Sequence, residues 1–100
     1  MTVYVDNARI PWRGWRMSHM YADTPSELHA LADRIGLKRS WFQDTGHGLP
    51  HYDLTDGKRA QALAAGAVFA EPGDGTYRAI RRRHAAGEWT DEYLAGSTGA

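Results

Sequence analysis

The segment His51-Tyr52-Asp53-Leu54-Thr55-Asp56-Gly57-Lys58-Arg59 concentrates side chains able to do chemistry. It reads as a polar stretch feeding a helix that starts at Thr55. Lys58 and Arg59 then fall in the first helical turn, where the helix dipole disfavours a cation by about 0.3–1 kcal/mol. Charge set against the local rule often marks a site. An anion held by the free backbone N–H groups and the two side chains would account for it, and Arg39 is a third cation suited to a phosphate or carboxylate. The plainer reading is a solvated face on which Asp56 neutralises one charge.

His51, Asp53 and His19, with Asp6, have the chemistry of a divalent-metal site or of an acid–base pair. Histidine titrates near neutrality, and an aspartate can orient it. The competing reading is that His51 and Asp53 only fix their loop and the helix start through local hydrogen bonds. His47 and His51 are four apart, but Gly48 and Pro50 lie between them, so the pair lacks the helical geometry of a zinc motif. Arg9, Asp23 and Tyr52 complete the polar set that would surround a ligand.

A second cluster interleaves cations with indoles: Arg9, Trp12, Arg13, Trp15 and Arg16. Such a loop can stack on bases or grip a nucleic-acid backbone. It can equally cover the edge of a core, with arginines stacked on the rings. Arg81-Arg82-Arg83 reads as a solvated helix end. No G-x-S-x-G elbow, P-loop or dinucleotide fingerprint occurs.

The composition narrows the classes. Twelve Lys plus Arg balance twelve Asp plus Glu, so the net charge is zero and long-range attraction to nucleic acid or membrane is not supported. With no cysteine, disulfides, thiolate zinc sites and a cysteine nucleophile are excluded, which suits a cytoplasmic location. No apolar run is long enough for a membrane span, and the first residues lack the pattern of a signal peptide.

The elements that must position these residues follow from periodicity and caps. Val3-Tyr4-Val5 predicts a strand ending at Asp6-Asn7. Residues 8–16 are expected to be a loop, and 17–22 a short strand. Thr24-Pro25-Ser26-Glu27 is a capping box with proline at the first helical position. Leu28, Leu31, Ala32 and Ile35 form one apolar face, and Gly36 is a stop, so a helix is predicted over 24–35. Residues 39–42 read as a strand and 43–50 as a loop. Thr55 caps a second helix that ends near Ala65, with Ala60, Leu63 and Ala64 as its buried face. Residues 67–70 read as a strand and 76–86 as a third helix, followed by a further turn at 90–94 and a fraying end at 97–100. Strands alternating with helices predict a small single-domain α/β fold over 1–86, with a short, mostly parallel sheet and two to three flanking helices, and a partly disordered extension over 87–100. In such sheets ligands bind at the carboxyl ends of the strands.

Val3-Tyr4-Val5-Asp6, Ser18-His19, Glu27-Leu28-His29-Ala30, His51-Tyr52-Asp53 and Ala64-Ala65-Gly66-Ala67-Val68, in this order over about residues 1–85, resemble the bacterial and phage family known as domain of unknown function 4031. The resemblance implies a small α/β domain and no established activity. The first strand ending in Asp-Asn also resembles metal-dependent ribonuclease folds of the PIN and NYN type. Those need three or four acidic residues at strand ends, and Asp6, Asp23 and Asp53 are what this chain offers. The expected function is binding, with hydrolysis as an extension, of an anionic phosphate-bearing small molecule such as a nucleotide. His51 would act as general base or metal ligand, with Asp53 orienting it. The alternative is a non-catalytic module docking on a host protein or nucleic acid through the Trp/Arg loop.

Overall fold

The computed structural model describes residues 2–46 and 48–92. His47, the end of the turn expected at 90–94 and the tail at 97–100 lie outside the described residues. Five strands and three α-helices occur among those described: β1 (Val3–Val5), β2 (Ile10–Trp12), β3 (Trp15–Ala22), α1 (Pro25–Arg34), β4 (Tyr52–Leu54), α2 (Asp56–Ala64), β5 (Val68–Phe69) and α3 (Thr76–Ala85). A 3-10 turn covers Arg39–Trp41.

The α/β class holds, but the sheet is mixed rather than mostly parallel. Only β1 and β5 pair in parallel, whereas β3 is antiparallel to β1, β2 and β4. The expectation of βαβ units failed because β1 reaches β3 through a hairpin arm, not a helix. The sequence predicts a loop there. Instead β2 and β3 pair from Ile10↔Met17 to Trp12↔Trp15. Arg13 and Gly14 close the turn, both at positive φ, as tight hairpins of the primed class require. Pro11 is tolerated because β2 is an edge strand.

β1 and β2 run along the same side of β3 with a fault between them. Val5 pairs with Met20, and the next pair is Ile10 with Met17. Four residues, 6–9, therefore face only Ser18 and His19. This is a bulge two residues deep, with Arg9 at a φ of 49°. Bulges re-aim side chains and recur beside active sites.

Two apolar faces sandwich the sheet. On one, Val5, Met20, Ala22, Tyr52 and Leu54 meet Leu28, Leu31, Ala32 and Ile35 of the α1 segment and Ala62 of α2. The buried face of α2 centres on Ala62; Ala60 and Ala64 are exposed and Leu63 is half-buried, so the expected face is rotated. On the other, Tyr21, Leu49, Ala70 and Ile80 form a smaller cluster under α3. Thr24 caps α1, and its hydroxyl also donates to Glu27 at 2.8 Å. Thr55 caps α2 by accepting from the Lys58 amide at 3.2 Å. Residues 39–42, read as a strand, turn instead through bonds from Trp41 to Lys38 and from Phe42 to Arg39, which aim Phe42 at the core. Beyond residue 86, Trp89 and Asp91 hold the described residues to the domain. Trp89 packs against both apolar clusters and donates to the Ala22 carbonyl at 2.9 Å, and Asp91 accepts from Ser26.

Candidate functional site

β3 alternates strictly: Ser18, Met20 and Ala22 are buried against α1 and α2, so Met17, His19 and Tyr21 face the other way. Direct partners across a ladder share a face. Asp53 of β4 is opposite His19, and His51, two residues earlier, falls on the same side. Asp6 arrives from the other flank, where the bulge begins. Part of this sheet face is roofed by α3 at Tyr21; at His19 it is partly open.

Four side chains converge there. The His19 Nδ1 lies 2.7 Å from Asp6 Oδ2. Asp6 Oδ1 accepts from the His19 amide at 2.9 Å and from the Ala8 amide at 3.1 Å. The His51 Nδ1 lies 2.7 Å from the Leu49 carbonyl, and the Gln43 amide donates to Asp53 Oδ2 at 2.7 Å. What remains is His19 Nε2, His51 Nε2 and Asp53 Oδ1. Asp53 Oδ1 is 3.3 Å from His51 Nε2 and 4.0 Å from His19 Nε2, and one donor atom from each of the three residues lies within 4.8 Å of the others. The imidazole planes meet edge-on, 5.0 Å between centroids.

Burial alone pushes the Asp6 carboxyl up, but the bonds it accepts from the His19 ring and from the His19 and Ala8 amides outweigh this and hold it below the ordinary carboxylate value. The Asp6 hydrogen bond raises His19 above the usual imidazole value, against the opposing effect of burial and with help from the charges of Asp6 and Asp53.

The other sequence candidates are placed elsewhere. Lys58 turns back to the C-terminus of α1, where its Nζ donates to the Ile35 carbonyl at 2.5 Å. Arg59 donates to the Asp6 carbonyl at 2.6 Å and lies over Phe69. Two cations in the first turn of α2 thus tie the helix to its neighbours through main-chain oxygens, which accounts for their position without an anion. Asp56, also in that turn, holds Arg9 at 2.8 Å. Arg39 is exposed beside Asp33. Asp23 anchors the N-terminal strand through the Thr2 amide and the Tyr4 hydroxyl. It stands apart from Asp6 and Asp53, and the acidic cluster of PIN-type nucleases is not formed among the described residues. Tyr52 points into the core, its hydroxyl 2.8 Å from His29 Nδ1. Trp12 and Trp15 face each other at the hairpin tip, 54% and 59% exposed, with Arg13 over Trp12 and Arg16 exposed alongside. Gln43, which sequence reasoning missed, reaches Asp53 because segments read as loop pair through Gln43↔His51. No local pattern announces that bridge.

A cleft of ≈ 450 Å³ opens beside the cluster and shares Asp6 with it. Its walls are residues 6–8, Tyr21, the turn at 70–75, Tyr77 and Arg78.

The sequence model of the family described as "Protein of unknown function (DUF4031)" matches residues 3–85. The chain belongs to that family. The matched span holds all of His19, His51, Asp53, Asp6 and Gln43, so the cluster lies within the DUF4031 domain rather than in the segment that follows it. No curated protein and no solved structure matches the chain. Among the described residues of this DUF4031 chain, no helix is long and apolar enough to cross a membrane.

Proposed function

We propose that the open sheet face binds a phosphate-bearing small molecule and hydrolyses it at the His19/His51/Asp53 cluster. The observation that carries this reading is convergence. Three electron-pair donors from two neighbouring strands aim at one point, each with its far side already tied down. Side chains locked in this way are pre-organised for a reacting atom. The cleft that meets the cluster at Asp6 offers room for the remainder of a ligand. Water held at the open side would pass its proton to the cluster while its oxygen bonds to phosphorus. The bond from phosphorus to the leaving oxygen would break, its electron pair going to that oxygen, which takes up the proton. A panel of nucleotides and phosphate esters, followed by midpoint shift and phosphate release, tests this. Stabilisation by at least one compound is expected through mass action, with turnover lost in His51→Ala. An inert panel would sink the reading.

A second reading concerns the hairpin. Trp12 and Trp15 form an exposed aromatic pair amid Arg9, Arg13 and Arg16, the composition of a stacking surface for a single nucleic-acid strand. Titration with an oligonucleotide should quench tryptophan fluorescence, weaken steeply with salt and vanish in a Trp12→Ala, Trp15→Ala double variant. Unchanged fluorescence at low salt would remove this reading.

A further inference from the structure

We propose that His19, His51 and Asp53 bind one divalent transition-metal ion of the zinc or manganese class, with Asp6 and Gln43 as positioning residues. This deepens the reading above and rests on it for the role of the site, while metal uptake is measurable without any phosphate ligand.

The argument starts from protons. The Leu49 carbonyl can only accept, so the His51 Nδ1 carries the hydrogen. In the neutral ring its Nε2 then presents a bare electron pair. His19 is held in the same tautomer by the Asp6 carboxylate. The two Nε2 pairs therefore lie 3.3 and 4.0 Å from one carboxylate oxygen, and donor atoms of the three residues all lie within 4.8 Å of one another. Such an arrangement repels itself unless a proton or a metal ion sits between, and only a metal ion engages all three electron pairs at once. Zinc bonds of about 2.0–2.1 Å in a tetrahedron set ligand atoms about 3.3–3.4 Å apart. The His51–Asp53 distance already has that value, and the 4.0 Å one needs only a small rotation.

The surroundings agree. A carboxylate or carbonyl behind each ligating imidazole is the usual outer shell of a metal site, fixing tautomer and orientation. Three protein ligands leave a position for water, the pattern of catalytic rather than structural zinc. Two histidines and one carboxylate also suit manganese or iron. The adjoining cleft supplies a separate reason. Asp6, Glu71 and Asp74 line it against the single guanidinium of Arg78, so an anion needs a further positive charge; neither Lys58 nor Arg59 lines the cleft, Lys58 being engaged on the Ile35 carbonyl and Arg59 on that of Asp6. A bound cation provides it. With the electron pairs of His19, His51 and Asp53 engaged on the ion, it would supply the activation of water in place of the cluster, the water's proton passing to solvent and the leaving oxygen taking one from solvent.

Chelator-stripped protein is titrated with zinc chloride and with manganese chloride, followed by calorimetry and thermal midpoint. One equivalent per chain and a raised midpoint are expected. His19→Ala, His51→Ala and Asp53→Ala should each abolish uptake. Asp6→Asn should weaken affinity by about 10–100-fold, and His84→Ala should leave it unchanged. Because His19→Ala disturbs a strand, the wild type is also followed by imidazole nitrogen resonances. The Nε2 signals of His19 and His51 should move on zinc addition while those of His84 stay. No uptake, or uptake that survives loss of His51 and Asp53, overturns the metal site. If zinc binds and no phosphate ester then has any effect, the metal site stands and the phosphate reading falls. If phosphate esters stabilise the stripped protein and zinc does not bind, the reverse holds.

Discussion

Tyr52→Ala is expected to destabilise the domain by about 3–5 kcal/mol, the range for deleting a buried aromatic ring. Tyr52 has no exposed surface, and its ring lies against Phe42 and His29. Its hydroxyl meets His29 Nδ1 at 2.8 Å. Tyr52→Phe removes only that hydrogen bond and should cost about 1 kcal/mol. The comparison has a functional side. Tyr52 stands between His51 and Asp53 in the sequence, yet it faces the helices while they face the open side. Tyr52→Phe should therefore leave metal and phosphate responses as in the wild type. Chemical denaturation with ligand titration of both variants checks this, and a loss of response in Tyr52→Phe at intact stability would place the ring in the site after all.

Trp89→Ala carries the second large effect, about 3 kcal/mol, near the low end for a tryptophan because the ring is only partly buried. The indole bridges two apolar clusters that otherwise lie on opposite faces of the sheet. It stacks with Phe42 at 6.3 Å and donates to the Ala22 carbonyl. Truncation after residue 86 should lose at least as much, since it removes Trp89 together with Asp91. Equilibrium unfolding decides the matter. A truncated chain as stable as the full one would make residues 87–92 an appendage.

What was legible in the sequence follows the range of the forces involved. α1 and α2 were readable because their caps act within four residues: Thr24 with Glu27, and Thr55 with the Lys58 amide. The hairpin was not, because Arg13-Gly14 lacks the Asn or Asp that normally announces such a turn. Sheet direction is hidden in the sequence for the same reason. Once residues 8–16 are taken as loop, nothing suggests that β1 and β3 run antiparallel. The site was partly readable. His19, His51, Asp53 and Asp6 were singled out by side-chain chemistry, and they lie together, though on a sheet face rather than along the carboxyl ends of parallel strands. Lys58 and Arg59 looked like anion ligands because their partners, the carbonyls of Ile35 and Asp6, are distant in sequence.

The two strands that carry the cluster divide their residues by parity. In β3 and β4 the even positions, Ser18, Met20, Ala22, Tyr52 and Leu54, are buried against the helices. The odd positions, Met17, His19, Asp53 and, just before β4, His51, look the other way. Each strand therefore keeps two independent ledgers in alternating letters. Mutational drift can rewrite the open outward letters around His19 and Asp53, whereas Tyr21, which packs under α3, and the inward letters preserve the same packed body. Any insertion of a single residue within β3 or β4, by contrast, exchanges the two alphabets at once and forfeits both.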